Sequence, residues 1–145
     1  MAVTKRFTAN LSFTTTNVFP NALSLSEGMT VTIDGDSATT GSLKVTSSDH
    51  IAVCTSDASA GDDGDGLDSD ARAFLLVKNV GSNTDGDIEV EDNAEARIAH
   101  LKAGEWMFFP FRHSASADAS VKISGASATA GYCEYVVIET SITDY

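Results

Sequence analysis

The densest set of possible metal ligands in this 145-residue chain is one acidic stretch, Gly61-Asp62-Asp63-Gly64-Asp65-Gly66-Leu67-Asp68-Ser69-Asp70. Carboxylates on a glycine-rich loop can wrap a calcium ion, which takes roughly six to eight oxygen ligands. Asp62, Asp63, Asp65, Asp68 and Asp70 are therefore the candidate calcium ligands. Their spacing is not that of an EF-hand: counted from Asp63, the third ligand position falls on Leu67 and the last on Phe74. A single glycine-aspartate unit is also too little for repeats that bind calcium in stacks. The preferred reading of residues 56–70 is a solvated insertion loop, and no cofactor is expected.

The other reactive side chains are scattered. His50, His100 and His113 stand alone, with no His-x-His anywhere. Gly104, followed after five residues by Pro110, matches the start of a cupin metal motif. Arg112 then stands where that motif needs glycine, and Ala115 where it needs histidine. No serine lies in a Gly-x-Ser-x-Gly elbow. Cys54 and Cys133 lack metal-ligand spacing and the flanking positive charge that activates a thiolate; they read as buried free thiols, with a disulfide between neighbouring strands as the lesser reading. Glu89 and Glu91 share one outer strand face, where carboxylates are ordinarily solvated. These observations argue against an enzyme.

The aromatic residues are more concentrated. Gly104-Glu105-Trp106-Met107-Phe108-Phe109-Pro110-Phe111 holds four of the chain's 11 aromatics, including its only tryptophan. Side chains alternate along a strand, so Trp106, Phe108 and Pro110 share one face, and Met107, Phe109 and Phe111 the other. Burying both faces requires two layers or a partner, which favours a homo-oligomer. Trp106, Phe109 or Tyr132 could instead offer a platform for stacking a glycan. The preferred expectation is a central packing strand, for which Trp106→Ala would cost roughly 3–5 kcal/mol.

Period-two patterning dominates the elements that carry these residues. From Val3 to Thr14 the odd positions are apolar except Lys5, and the even positions are polar. Phe7, Leu11 and Phe13 thus belong to a core or interface face. Leu23 to Ile33 repeats the pattern with a bulge or turn expected at Glu27-Gly28, and Asp34-Gly35-Asp36 reads as a turn. The short apolar run Phe74-Leu75-Leu76-Val77 fits a strand covered on both faces. Asp87 to Glu91, Arg97 to Leu101, Trp106 to Phe111, Val121 to Ser124 and Tyr132 to Thr140 continue the series. About nine or ten short strands without helical periodicity predict a single all-β domain over residues 1–145, an antiparallel β-sandwich of jelly-roll type. An immunoglobulin-like sandwich lacks the required cysteine and tryptophan order.

Twenty-one acidic against nine basic residues give a net charge of −12. Nucleic acid and anionic membrane are thereby disfavoured as partners. No apolar leader and no membrane-length apolar run is read, so folding in a cytoplasm is expected.

Three pieces carry a resemblance. They are Val77-Lys78-Asn79-Val80-Gly81, the block Arg97-Ile98-Ala99-His100-Leu101-Lys102-Ala103-Gly104-Glu105-Trp106-Met107-Phe108-Phe109-Pro110, and Glu134-Tyr135-Val136-Val137-Ile138-Glu139. In this order they resemble small virion structural proteins of tailed bacteriophages, marine ones especially. The resemblance spans Phe74 to Glu139, about half of the chain. It implies a head decoration or cement protein bound to the major capsid protein or other virion proteins, as a trimer or, failing that, a dimer. A tail- or fibre-associated module that binds host glycan is the alternative it allows.

Overall fold

The computed structural model describes residues 5–14, 24–54, 72–112 and 121–140. These hold nine strands and no helix: β1 (Lys5–Thr14), β2 (Ser24–Val45), β3 (Ile51–Cys54), β4 (Arg72–Asn79), β5 (Ile88–Asp92), β6 (Arg97–Leu101), β7 (Trp106–Arg112), β8 (Val121–Gly125) and β9 (Gly131–Thr140). The acidic loop with Asp62, Asp63, Asp65, Asp68 and Asp70 lies outside the described residues, as does His113.

All strand pairs are antiparallel and most of them are nested. β2 pairs with β9, β3 with β8, β4 with β7 and β5 with β6. The pairs β4–β9 and β5–β8 then join this ribbon to itself. The result is a five-stranded sheet in the order β1-β2-β9-β4-β7 and a four-stranded sheet in the order β3-β8-β5-β6. Both contribute to one core: Val45, Leu75, Val77, Cys133 and Val137 from the first, Ile88, Val90, Val121 and Ile123 from the second. Alternation decides which residues enter it. On β5, Ile88 and Val90 point inward while Glu89 and Glu91 take the outer face.

β4 behaves as its sequence predicts. Ala73, Leu75 and Val77 are buried in the core, and Phe74 on the opposite face is 1% exposed. Three other expectations change. β7 is an edge strand rather than a central one, because its only neighbour in the sheet among the described residues is β4. Asp34-Gly35-Asp36 is not a turn between strands: β2 runs through it, with a register shift between Ile33 and Ala38. The shift falls where β2 changes partner, from β1 before Ile33 to β9 after Ala38. Small, turn-forming residues suit such an irregularity. The bulge or turn expected at Glu27-Gly28 is absent, since Leu11 faces Glu27 and Asn10 faces Gly28 in unbroken register.

This change of partner makes β1 and the first half of β2 a two-stranded ribbon. Its register sets Phe7 opposite Val31, Ala9 opposite Met29, Leu11 opposite Glu27 and Phe13 opposite Leu25. Thr8, Asn10 and Ser12, on the alternate positions, are exposed. Phe7, Leu11 and Phe13 therefore stand at the apolar positions of the ribbon, and their side chains lie outside the description.

Candidate functional site

Two of the sequence pieces that carry the resemblance meet at Asn79. It ends β4 with its side chain fully buried. Its amide Nδ2 donates to the Leu101 carbonyl at 3.0 Å, and its Oδ1 accepts from the Gly81 N–H at 2.9 Å. The backbone adds two bonds, from Asn79 N–H to the Glu105 carbonyl (2.9 Å) and from Gly104 N–H to the Asn79 carbonyl (3.0 Å). Gly104 adopts φ 80°, a left-handed turn conformation that costs glycine nothing. The Glu105 carboxylate accepts from the Lys102 N–H at 2.8 Å, closing the same turn. The Lys78-Asn79 step and the Leu101-x-x-Gly104-Glu105 step are thus one tertiary join that places the start of β7.

That join sets the aromatic strand. Met107, Phe109 and Phe111 pack against the edge of the core, with the Phe109 and Phe111 rings 5.9 Å apart. On the outer face, Phe108 stacks on Phe74 at 5.5 Å and 7°. Trp106, one step along, is 53% exposed, which overturns the buried packing role expected for it. Lys78 of β4 and Glu134 of β9 follow Trp106 across the sheet, and Ser42 of β2 pairs with Glu134. Tyr132, two residues before Glu134, is 37% exposed, and Val80 beside it 44%. The Lys44 ammonium lies 5.9 Å from the centre of the Tyr132 ring. Tyr135 points inward, with its ring against Gly41, where any Cβ would clash.

The outer face of the four-stranded sheet is different in kind. Glu89 and Glu91 are only 8% and 4% exposed, not solvated as expected. Basic side chains from neighbouring segments cover them. Glu89 pairs with Arg97 and, at 3.3 Å, with His100 Nδ1. His100 Nε2 in turn meets Asp87 at 2.8 Å. Glu91 takes His50 Nδ1 at 2.7 Å on one oxygen and the Ser124 hydroxyl at 2.9 Å on the other. Lys122 pairs with Glu95 at 3.0 Å. The hydrogen bond to Glu91 raises the His50 pKa above the usual imidazole value. Lys122 lowers that of Glu95. This is a charge lattice holding four short strands together. Sequence spacing could not reveal it, because His50 lies 41 residues from Glu91.

Among the described residues, no group of three or more His, Cys, Asp or Glu side chains is placed to hold a metal ion. Cys133 is buried, and desolvation pushes its thiol pKa up to about 11. Such a group is inert at neutral pH. The Cys54 side chain lies outside the description. No described helix is long and apolar enough to cross a membrane. In comparisons with known proteins, no protein family and no curated protein matches this chain.

Proposed function

We propose that the protein is a non-enzymatic structural component of a tailed-bacteriophage particle, a head decoration protein that docks on the major capsid protein and stabilises the shell. The observation that carries this reading is the ribbon of β1 and the first half of β2. A two-stranded hairpin is marginal by itself in water. Apart from Lys5 and Glu27, this one has apolar residues at one set of alternating positions, and exposed Thr8, Asn10 and Ser12 at the other. Over Ser24 to Thr32, its register involves no strand but its own mate among the described residues. An arm of this kind gains stability by laying its apolar side on a neighbouring capsid subunit or on another copy of the chain.

The strand orders support a jelly roll, the architecture used by viral capsid and lectin domains. From β2 onward, eight strands form a nested antiparallel ribbon that winds into the facing orders β2-β9-β4-β7 and β3-β8-β5-β6. The join at Asn79 supports the resemblance itself, because its two sequence steps are in contact rather than merely in order. In this reading the protein folds in the host bacterial cytoplasm, assembles as a trimer, requires no cofactor and ends in the virion.

Purified protein should co-sediment with phage heads that lack it. A Leu11→Asp, Phe13→Asp double variant should stay in the supernatant while keeping its β-sheet circular dichroism. Failure of the unaltered protein to bind such heads would refute decoration. Sedimentation equilibrium tests the trimer separately.

A further inference from the structure

The two outer faces treat their polar side chains in opposite ways. On the four-stranded sheet, Glu89, Glu91, Arg97, His100 and Lys122 are all paired. On the five-stranded sheet, the side chains of Lys78, Glu134 and Ser42 have no hydrogen-bond or ion-pair partner among the described residues. Lys78 pairs with the chain's single tryptophan, Trp106, Glu134 stands two residues from Tyr132 on β9, and Ser42 follows Glu134 on β2; both rings are exposed. Strand spacing sets the Cα atoms of those two residues, Trp106 and Tyr132, two strands and two residues apart, about 12 Å. We propose that this end of the five-stranded sheet binds a neutral, hydroxyl-rich oligosaccharide, with Trp106 and Tyr132 stacking on sugar faces and Lys78, Glu134 and Ser42 beside them hydrogen-bonding its hydroxyls.

The chemistry of the patch selects this occupant. A sugar ring has an apolar C–H face that suits an aromatic ring, and rim hydroxyls that both donate and accept. An ammonium, a carboxylate and a hydroxyl side by side match that mixture. A phosphate, sulfate or uronate would meet Glu134 and a chain of net charge −12. A flat apolar protein surface would bury Lys78 and Glu134 without hydrogen-bonding them, which is costly. Lys44 lies over the Tyr132 ring at 5.9 Å. It is a flexible side chain that a stacked sugar can displace at small cost. The ring geometry is also held from behind: the Asn79 join fixes the start of β7, and Val80 N–H donates to the Tyr132 carbonyl at 2.9 Å.

This inference does not depend on docking to the capsid, since it uses neither β1 nor the first half of β2. The lone tryptophan is its reporter. Trp106 emission is to be titrated with cellohexaose, laminarihexaose, maltohexaose and xylohexaose at concentrations up to millimolar. A saturable blue shift with at least one is expected. Tyr132→Ala and Lys78→Ala, which keep the reporter, should weaken that sugar about tenfold while the protein keeps its β-sheet circular dichroism. Trp106→Ala, read by calorimetry, should abolish measurable binding. The proposal is overturned if none of the four sugars shifts the emission, or if Tyr132→Ala titrates like the unaltered protein. It is equally overturned if Trp106→Ala loses only binding to phage heads, which would make the patch a protein interface.

Discussion

Replacing Asn79 with alanine tests whether the join between β4 and the β6–β7 connection governs the stability of the fold. The side chain makes two hydrogen bonds, to the Leu101 carbonyl and from the Gly81 N–H. Both partners survive the truncation and lose their mate. A buried polar group left unpaired costs about 1–3 kcal/mol. Leu101 is 6% exposed, so its carbonyl bears most of that cost. Gly81 is half-buried and can recruit water, which puts it at the low end. The sum is about 2–4 kcal/mol, a large share of the roughly 5–15 kcal/mol that holds a domain together. Urea unfolding should show a lower midpoint with an unchanged m-value, and Tm should fall by roughly 6–14 °C. Asn79→Asp sharpens the test. It keeps the acceptor for Gly81 but turns a carboxylate oxygen toward the Leu101 carbonyl. At neutral pH it should be worse than alanine. Burial raises the carboxyl pKa in the folded state, so the penalty is full above that raised value. It shrinks as pH falls toward the ordinary carboxylate range, where a protonated oxygen can donate to Leu101. A loss under about 1 kcal/mol for Asn79→Ala, or an aspartate variant no worse than alanine at neutral pH, would refute the reasoning.

Trp106→Ala should cost under about 1.5 kcal/mol, because the side chain is 53% exposed; a loss near the 3–5 kcal/mol of a buried aromatic in urea unfolding would put it in the core. His50 has a raised pKa from its bond to Glu91, with Glu95 adding to the shift and Lys122 opposing it. Its stabilising contribution is therefore complete below the ordinary imidazole value of about 6.5 and is lost as pH rises through the raised one. Across about pH 5.5–8.5, Tm should fall more with rising pH in the unaltered protein than in His50→Gln, and parallel curves would count against the pair. Cys133 should resist a thiol reagent in the native protein and react once unfolded, which a native-state titration of free thiols would contradict. Calcium followed by chelator should leave Tm unchanged; a calcium-dependent rise would place a site at Asp62 to Asp70.

The alternating segments were legible because a half-buried strand writes its two faces directly into the chain. Phe74 to Val77 could be read as covered on both sides, and Ile88 and Val90 as inward, for the same reason. What failed were judgements about neighbours. Trp106 to Phe111 has the composition of a central strand, yet β7 is an edge, because strand order is set by how the nested ribbon closes. Glu89 and Glu91 look solvated until Arg97, His100 and His50 are brought over them. Asp34-Gly35-Asp36 reads as a turn because the residues that permit a turn also permit a register shift.

The chain by itself determined that this is an all-β protein with an inward and an outward set of side chains, since alternation and turn residues act over a few positions. It also marked the aromatic strand and the Lys78-Asn79 and Gly104-Glu105 steps, without saying that those two steps touch. Only the tertiary structure decided which strand lies at an edge, which carboxylates are paired and which rings remain exposed. Each of those depends on partners distant in sequence, whose approach is settled by sheet closure and a shared core rather than by local preference.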